Sequence, residues 1–320
     1  MKIAVLDDYA GAALRLADWE SLGGEITVFN DTITNHAALV DRLKPFEVIC
    51  LMRERTPMTD ALMADLPALK LLVTSGPRNA AIDLKAAKAR GITVCGTETR
   101  KTTTSELATL MILALNRRLM PEVANLHGPV GWQTTLGRDL AGLTLGVIGL
   151  GNIGAQMAAL GRAFGMEVVA WSQNLTEERC AELGVRRMES LPALMAASDV
   201  STVHLILSGR SRGLVGAEAF AAAKPGHCFV NTSRGPIADT GALLDWLRRD
   251  PTAMAGLDVY DVEPLPKDDP LRDAALIEEG RLLLVPHLGY VTEATFRTFY
   301  EQTVEDIAAW AAGAPIRELN

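Results

Sequence analysis

Three glycines within the segment Val147–Gly154 constrain the fold of this chain more than any other feature of its sequence. The run Leu143–Leu150 is mostly apolar and predicts a buried β-strand that ends among these glycines. Apolar residues then recur at the spacing of one helical face, at Ile153, Met157, Leu160 and Phe164. The segment therefore predicts a strand that turns through glycines directly into a helix.

Each glycine of this turn has its own physical role. Gly149 permits the tight turn, Gly151 lets the backbone approach a phosphate, and Gly154 lets the helix lie close to the strand. Glycine-rich loops also occur as plain turns, but the helix N-terminus that follows here offers N–H groups to an anion. We therefore expect a dinucleotide pyrophosphate to bind at Gly149, Gly151, Asn152, Ile153 and Gly154.

The next predicted strand, Glu167–Trp171, ends in Ser172, Gln173 and Asn174. A carboxylate at this place usually holds the adenosine ribose of NAD, whereas a nearby arginine accommodates the 2′-phosphate of NADP. No acid stands here, and the first basic residue afterwards is Arg179. We expect Ser172 and Gln173 to contact the cofactor, and the sequence leaves NAD and NADP open, with NAD favoured.

Size and charge exclude several classes of protein. A length of 320 residues suits two domains, and 48 % hydrophobic with 22 % charged residues is typical of a globular protein. The formal charge of −8 argues against a nucleic-acid partner, which requires a clustered positive surface. Because neither a secretory segment nor an apolar run of bilayer length is present, we expect a cytoplasmic protein with no membrane partner.

The four cysteines are far apart in the sequence and have no metal-ligand spacing. We expect no metal site, and we expect these side chains to be small buried hydrophobes. They are Cys50, Cys95, Cys180 and Cys228.

Two series of short β-type runs alternate with helical stretches, which predicts parallel sheets. The first series lies at Ile3–Leu6, Ile26–Phe29, Val48–Leu51, Leu71–Thr74 and Ile92–Cys95. The second lies at Leu143–Leu150, Val168–Trp171, Val200–Leu207, Cys228–Asn231, Ala255–Asp258 and Leu282–Val285. In such sheets ligands bind beyond the carboxyl ends of the strands.

Two helices frame the second series. The stretch Thr102–Met120 predicts one long apolar helix that ends before Pro121. The apolar stripe of this helix indicates interdomain or dimer packing, and we expect a homodimer. The second helix has apolar residues at helical spacing between Phe296 and Trp310, with Thr292 as its N-cap. We infer that this helix packs back on the first domain.

The predicted fold is α/β, with two doubly wound parallel-sheet domains. Residues 1–101 plus 290–320 form a discontinuous, flavodoxin-like substrate (catalytic) domain, and residues 102–289 form a Rossmann dinucleotide-binding domain.

Three predicted strand exits of the second domain hold reactive side chains, namely Arg234, Glu263 and His287. The planar fork of an arginine suits a carboxylate and can polarise a carbonyl. A carboxylate bonded to an imidazole raises the imidazole's pKa, which suits proton exchange with an alkoxide or hydroxyl. Each side chain alone would also fit a plain structural role, and their joint occurrence after a dinucleotide turn favours catalysis.

Four segments in this order resemble the D-isomer-specific 2-hydroxyacid dehydrogenase family, and the resemblance covers essentially the whole chain. They are Val147–Gly154, Lys224–Pro236, Gly256–Pro264 and Pro286–Gly289. The resemblance implies hydride transfer between a nicotinamide cofactor and a 2-keto or D-2-hydroxy acid, with Arg234, Glu263 and His287 as catalytic residues. It also implies cofactor contacts from His204, Thr232, Ser233 and Asp258, the last to the nicotinamide carboxamide.

For the substrate, we expect its carboxylate to lie against backbone N–H groups of the loop that contains Ser75, Gly76 and Arg78, with Arg234 bridging carboxylate and carbonyl oxygen. Arg53 and Arg78 could select a larger or phosphorylated tail. Glyoxylate, hydroxypyruvate, phosphoglycerate and bulkier acids all remain compatible with this set.

Two other classes remain open. An NAD(H)-sensing, corepressor-like binding protein would keep the fold and bind NADH with little turnover. A methyltransferase also uses a glycine-rich turn, but it has no need for the arginine, glutamate and histidine set.

Overall fold

A computed structural model describes residues 1–100, 102–129 and 131–320 of the chain. The chain forms two compact units: unit 1 is Met1–Arg100 with Val291–Asn320, and unit 2 is Lys101–Tyr290. Lys101, where the expected boundary between 101 and 102 falls, lies outside the described residues. In the part of the chain that the structure describes, no helix is both long enough and apolar enough to cross a bilayer.

Unit 1 contains a five-stranded parallel sheet. Its strands are β1 (Lys2–Val5), β2 (Glu25–Val28), β3 (Val48–Leu51), β4 (Leu71–Thr74) and β5 (Thr93–Gly96). They lie in the order β2-β1-β3-β4-β5, which confirms the flavodoxin-like prediction. The helices that alternate with them are α1 (Ala13–Leu16), α2 (His36–Leu43), α3 (Asp60–Ala64) and α4 (Leu84–Ala89), with a 3-10 helix at Trp19–Leu22.

The central strands of unit 1 are buried on both faces. All four residues of β3 and all four of β4 are buried, which explains why these strands are continuous apolar runs rather than alternating ones. The four cysteines of the chain are buried and unpaired, as predicted. Burial raises the pKa of the Cys95 thiol to about 12, so this group stays protonated.

Unit 2 contains a seven-stranded parallel sheet. Its strands are β6 (Thr144–Ile148), β7 (Glu167–Trp171), β8 (Arg186–Arg187), β9 (Val200–Val203), β10 (Cys228–Asn231), β11 (Met254–Leu257) and β12 (Leu282–Leu284). The order is β12-β11-β10-β9-β6-β7-β8, which confirms the predicted Rossmann arrangement. The strand order reverses between β6 and β9, and the ligand crevice of such sheets lies at this point.

Both faces of this sheet are covered by helices. Their bounds are α5 (Thr103–Asn116), α6 (Leu119–His127), α7 (Asn152–Ala163), α8 (Glu177–Glu182), α9 (Leu191–Ala197), α10 (Ala217–Ala222), α11 (Thr240–Arg249) and α12 (Ala274–Glu278), with a 3-10 helix at Gly235–Ile237. Val168 and Val169 belong to different apolar clusters, one on each face. Full burial of each large apolar side chain in such a cluster contributes about 1.5–3 kcal/mol.

The prediction of one helix over Thr102–Met120 is wrong. Helix α5 ends at Asn116, and Arg118 adopts a left-handed backbone with φ +54° before α6 begins. Pro121 lies in the first turn of α6, where backbone N–H groups have no intrahelical acceptor, so the N–H that proline lacks costs the helix no hydrogen bond. This proline therefore lies at the start of a helix and not at the end of one. The guanidinium of Arg118 donates to the carbonyls of Glu279 and Gly280 and holds the break in place.

The C-terminal helix α13 (Glu293–Ala311) belongs to unit 1. The Thr292 hydroxyl accepts the Thr295 N–H at 3.3 Å, so the predicted N-cap is confirmed. The helix packs against α1, the 3-10 helix, β4 and β5. The side chains that it buries there are Phe296, Phe299, Tyr300, Thr303 and Ile307.

The residues after α13 cover the edge of the sheet at β5. The N–H of Gly96 donates to the carbonyl of Arg317, and the N–H of Leu319 donates to the carbonyl of Val94 at 2.7 Å. Arg317 also binds the fully buried Asp306 of α13, with Nε 2.9 Å from Oδ1. This hydrogen bond joins the helix to the edge segment.

Asp306 makes the stability of unit 1 depend on pH. Burial raises the pKa of the Asp306 carboxyl to about 7 from its ordinary value of 3.8. At a pH between these two pKa values, the carboxyl of Asp306 is ionised in the unfolded chain and protonated in the folded chain. The free energy of unfolding therefore falls as pH rises from about 4 to 7. We expect Asp306→Asn to lose this dependence, as measured by urea unfolding at four pH values. If the free energy of unfolding depends on pH in the same way for both proteins, this expectation is wrong. The control is Glu305→Gln, because Glu305 is an exposed partner of Arg317.

The glycine turn between β6 and α7 gives a matched pair of variants. A Cβ on Gly154 would lie 2.0 Å from the carbonyl oxygen of Gly149, whereas a Cβ on Gly151 would have no atom within 4 Å. We expect Gly154→Ala to lower the free energy of unfolding by about 1–3 kcal/mol or more. We expect Gly151→Ala to change it by less than about 0.5 kcal/mol. Urea unfolding measures both, and equal losses would show that the turn is packed differently.

Candidate active site

A pocket of about 660 Å³ opens in unit 2 where the strand order reverses. The glycine turn forms its floor, and the loops that follow β7 and β9 form its walls. The structure brings seven of the predicted cofactor residues to this pocket: Gly149, Gly151, Asn152, Ile153, Ser172, Gln173 and His204.

The residues of the floor fit a dinucleotide. Gly149 has φ +101°, and a Cβ there would lie 2.5 Å from the carbonyl oxygen of His204, so only glycine lets the turn lie against this wall. The space above Gly151 is open, as a pyrophosphate requires. Helix α7 begins directly after it, and its first N–H groups have no intrahelical acceptors.

His204 lies in the wall as a neutral imidazole. Its Nε2 is 2.9 Å from the Thr202 hydroxyl, and its buried Nδ1 has no hydrogen-bond partner among the described residues. Burial lowers its pKa to about 3. A neutral ring with one unsatisfied nitrogen is suited to a hydrogen bond with a bound cofactor.

Four predicted cofactor residues do not line the pocket: Gly154, Thr232, Ser233 and Asp258. Gly154 lies beneath the turn, against Gly149. Thr232 and Ser233 follow β10; the Thr232 hydroxyl is buried without a described partner, and the Ser233 hydroxyl donates to the Val203 carbonyl at 3.0 Å.

Arg179 and Arg210 also line the pocket, and neither was among the predicted site residues. Arg179 lies in α8, and Arg210 lies in the loop after β9. The amide of Gln173 donates to the carbonyl of Arg210 at 3.1 Å and joins the two walls. Arg210 follows a strand next to the reversal point, and that position in the sequence is the signal that could have identified it.

The strands β10, β11 and β12 are neighbours in the sheet, and their exits bring the predicted catalytic residues together. Glu263 Oε2 lies 2.6 Å from His287 Nδ1, and both side chains are 16 % exposed. Glu263 Oε1 accepts the N–H of Tyr260 at 2.9 Å. The carboxylate thus holds the ring through Nδ1, and Nε2 is the nitrogen that would exchange a proton.

The loop of Arg234 lies directly against the segment that leads to Glu263. A Cβ on Gly235 would lie 2.1 Å from the carbonyl carbon of Tyr260, so the two backbones are in contact. The amide of Asn231 donates to the Arg234 carbonyl at 3.0 Å and fixes this turn. The geometry therefore holds the Arg234 turn beside the segment that carries the Glu263–His287 pair.

Asp258 has a use in the structure that the resemblance did not imply. It is fully buried, and its two carboxylate oxygens accept the N–H groups of Leu288 and Gly289. These residues follow His287, whose φ of +54° is unusual for a residue with a side chain. Asp258 therefore holds the turn that presents His287.

In unit 1 the loop that was expected to bind the substrate carboxylate makes hydrogen bonds of its own. The N–H of Ser75 donates to the Leu51 carbonyl at 3.0 Å, and the N–H of Gly76 donates to the Thr97 hydroxyl at 2.7 Å. Two of the three N–H groups that were expected to bind a substrate carboxylate, those of Ser75 and Gly76 but not that of Arg78, are thus bonded within the unit. Arg53 Nη1 donates to the Ser75 carbonyl at 3.0 Å, while Arg78 is exposed on the same loop.

Comparison with known proteins gives consistent matches. Over 284 residues, 88 % of this chain, it is 32 % identical to a D-3-phosphoglycerate dehydrogenase of Bacillus subtilis, of which it covers 53 %. A glyoxylate reductase of Aeropyrum pernix is 33 % identical over 81 % of this chain and 79 % of its own length. The chain spans about half the length of the curated phosphoglycerate dehydrogenases that it matches.

The fold matches a crystal structure of a phosphoglycerate oxidoreductase from Vibrio cholerae with a TM-score of 0.91 and 37 % identity, over 98 % of this chain and 100 % of the other. Residues 109–289, more than half of the chain, match the model for the NAD-binding domain of one family. The chain belongs to the D-isomer specific 2-hydroxyacid dehydrogenase family.

Proposed function

We propose that this protein is an NAD(P)-dependent oxidoreductase that transfers a hydride between a nicotinamide ring and the C2 carbon of a 2-keto or D-2-hydroxy acid. The 2.6 Å contact between Glu263 and His287 is the observation that carries the proposal. The pair lies in the unit that also contains the dinucleotide pocket. Glu263 follows β11, which lies in the sheet between β12, the strand before His287, and β10, the strand before Arg234.

The residues of unit 2 have separate roles in the reaction. The dinucleotide, when bound, supplies or accepts the hydride. In the reducing direction Nε2 of His287 donates a proton to the carbonyl oxygen, and in the oxidising direction it takes the proton back. The Glu263 carboxylate balances the charge of the imidazolium, and the Arg234 fork binds the substrate carboxylate and polarises the carbonyl.

We assign different binding roles to the two units. We assign dinucleotide binding to residues 102–289, and, apart from the contacts of Arg234 and His287, substrate binding to residues 1–101 with 290–320. The matched relatives are named for phosphoglycerate and for glyoxylate, which share a carboxylate and differ in their tails. We assign discrimination of the tail to Arg53 and Arg78. We also propose a cytoplasmic location, which four unpaired cysteines support.

We further propose that the protein is a homodimer that uses helix α6. The helix buries none of its residues, although four of its nine residues are large and apolar. Leu119, Met120, Val123 and Leu126 are each between 45 and 57 % exposed. A short helix of this kind gains its stability from packing, and a second copy related by twofold symmetry is the commonest cover for such a face.

Replacement of His287 tests the reaction. We expect His287→Ala to lower kcat with 2-keto acids about 10²- to 10⁴-fold, because it removes the imidazole that we assign as the proton donor. The affinity for NADH should stay within about twofold. Turnover is measured with glyoxylate, hydroxypyruvate and phosphohydroxypyruvate, each with NADH and with NADPH. The control is His36→Ala, because His36 is an exposed residue of unit 1. Unchanged turnover would refute the role of His287, and NADH binding without turnover by the unmodified protein would favour the NAD(H)-sensing alternative.

Charge placed on the exposed face of α6 tests the dimer. We expect Val123→Asp with Leu126→Asp to give monomers in light scattering after gel filtration, because a dimer would bury both carboxylates without partners. Leu14→Asp, at an equally exposed apolar residue of α1, should leave the mass unchanged. An unmodified protein that is already monomeric at micromolar concentration would end this proposal.

A further inference from the structure

The outer wall of the dinucleotide pocket has a charge pattern that the proposed function does not explain. None of the described residues that line the pocket is acidic, and two are arginines. Ser172 stands at the exit of β7, where a carboxylate would bind the two ribose hydroxyls of NAD. This wall is therefore neutral or positive at the place where NAD-binding proteins are negative.

The two arginines differ in what surrounds them. Arg179 donates to Glu182 at 3.0 Å on the surface of α8, so part of its charge is balanced. Arg210 is exposed on the pocket wall and forms no ion pair with any described residue. An arginine that lines a pocket without a carboxylate partner is suited to a phosphate.

The loop that carries Arg210 is held in place by its own hydrogen bonds. The buried Ser211 hydroxyl donates to the Ile206 carbonyl at 2.7 Å and accepts the Ser208 N–H at 2.8 Å. The bond from Gln173 to the Arg210 carbonyl joins this loop to the residue after Ser172. Arg210 and Ser172 thus belong to one rim.

We propose that this rim binds the 2′-phosphate of NADP(H), so that the pocket takes the phosphorylated dinucleotide in preference to NAD(H). The guanidinium of Arg210 contacts the phosphate as a fork, the Ser172 hydroxyl donates to it, and Arg179 adds positive charge. This inference rests on the proposed dinucleotide site and specifies which cofactor that site takes.

Ligands without a nicotinamide ring separate this inference from the reaction. We expect calorimetry to show that 2′,5′-ADP binds at least about tenfold more tightly than 5′-AMP, which lacks only the 2′-phosphate, as one charged hydrogen bond would give. Arg210→Ala should weaken binding of 2′,5′-ADP and NADPH about 10- to 100-fold. It should leave the binding of 5′-AMP and NADH within about twofold. Arg212→Ala, two residues along the same loop and outside the pocket lining, is the matched control and should change none of these.

A second variant reverses the preference. Ser172→Asp should weaken NADPH binding by repulsion and strengthen NADH binding, with an unchanged urea midpoint as evidence of an intact fold. If NADH and NADPH bind equally and Arg210→Ala affects neither, the inference fails and the proposed function stands. If neither dinucleotide binds, the dinucleotide site itself is wrong, and both fail.

Discussion

Contacts of backbone with backbone at glycine positions place the candidate site residues of unit 2. At Gly154 the helix lies on the turn of Gly149, and at Gly149 the turn lies on the carbonyl of His204. At Gly235 the exit of β10 lies on Tyr260, only 2.1 Å from where a Cβ would be. Because a side chain at any of these points would push apart the two backbone segments that meet there, the pocket and the Arg234 turn depend on these glycines.

Two carboxylates from the exit of β11 then organise the exit of β12. Asp258 accepts the N–H groups after His287, while Glu263 binds the imidazole itself. The Tyr260 hydroxyl donates to the Val285 carbonyl at 2.8 Å and joins the same two exits. The ring of Tyr290 meets His287 edge-to-face, with centroids 5.3 Å apart. These contacts hold the imidazole in one orientation, which proton transfer in a fixed direction requires.

Local pattern predicted most of the fold. The strands β3, β4 and β10 begin and end where their apolar runs do, and Thr292 caps α13 as expected. The pattern failed where it carried no apolar signal, as at β8, which consists of two exposed arginines. It also failed at Pro121, because a proline can mark either the end or the start of a helix. In the structure the break lies at Arg118, whose guanidinium donates to the carbonyls of Glu279 and Gly280, and these are contacts that the local pattern does not contain.

The sequence by itself determined the glycine turn, the parallel sheets and the identity of the arginine, glutamate and histidine at three strand exits, because all of these depend on neighbours in the chain. Only the tertiary structure decided that Arg210 shares a wall with Ser172, that Asp258 binds the turn after His287, and that the N–H groups of Ser75 and Gly76 are already bonded. The physical reason is that these bonds join residues far apart in sequence, and which donor meets which acceptor depends on how strand exits and loops pack together.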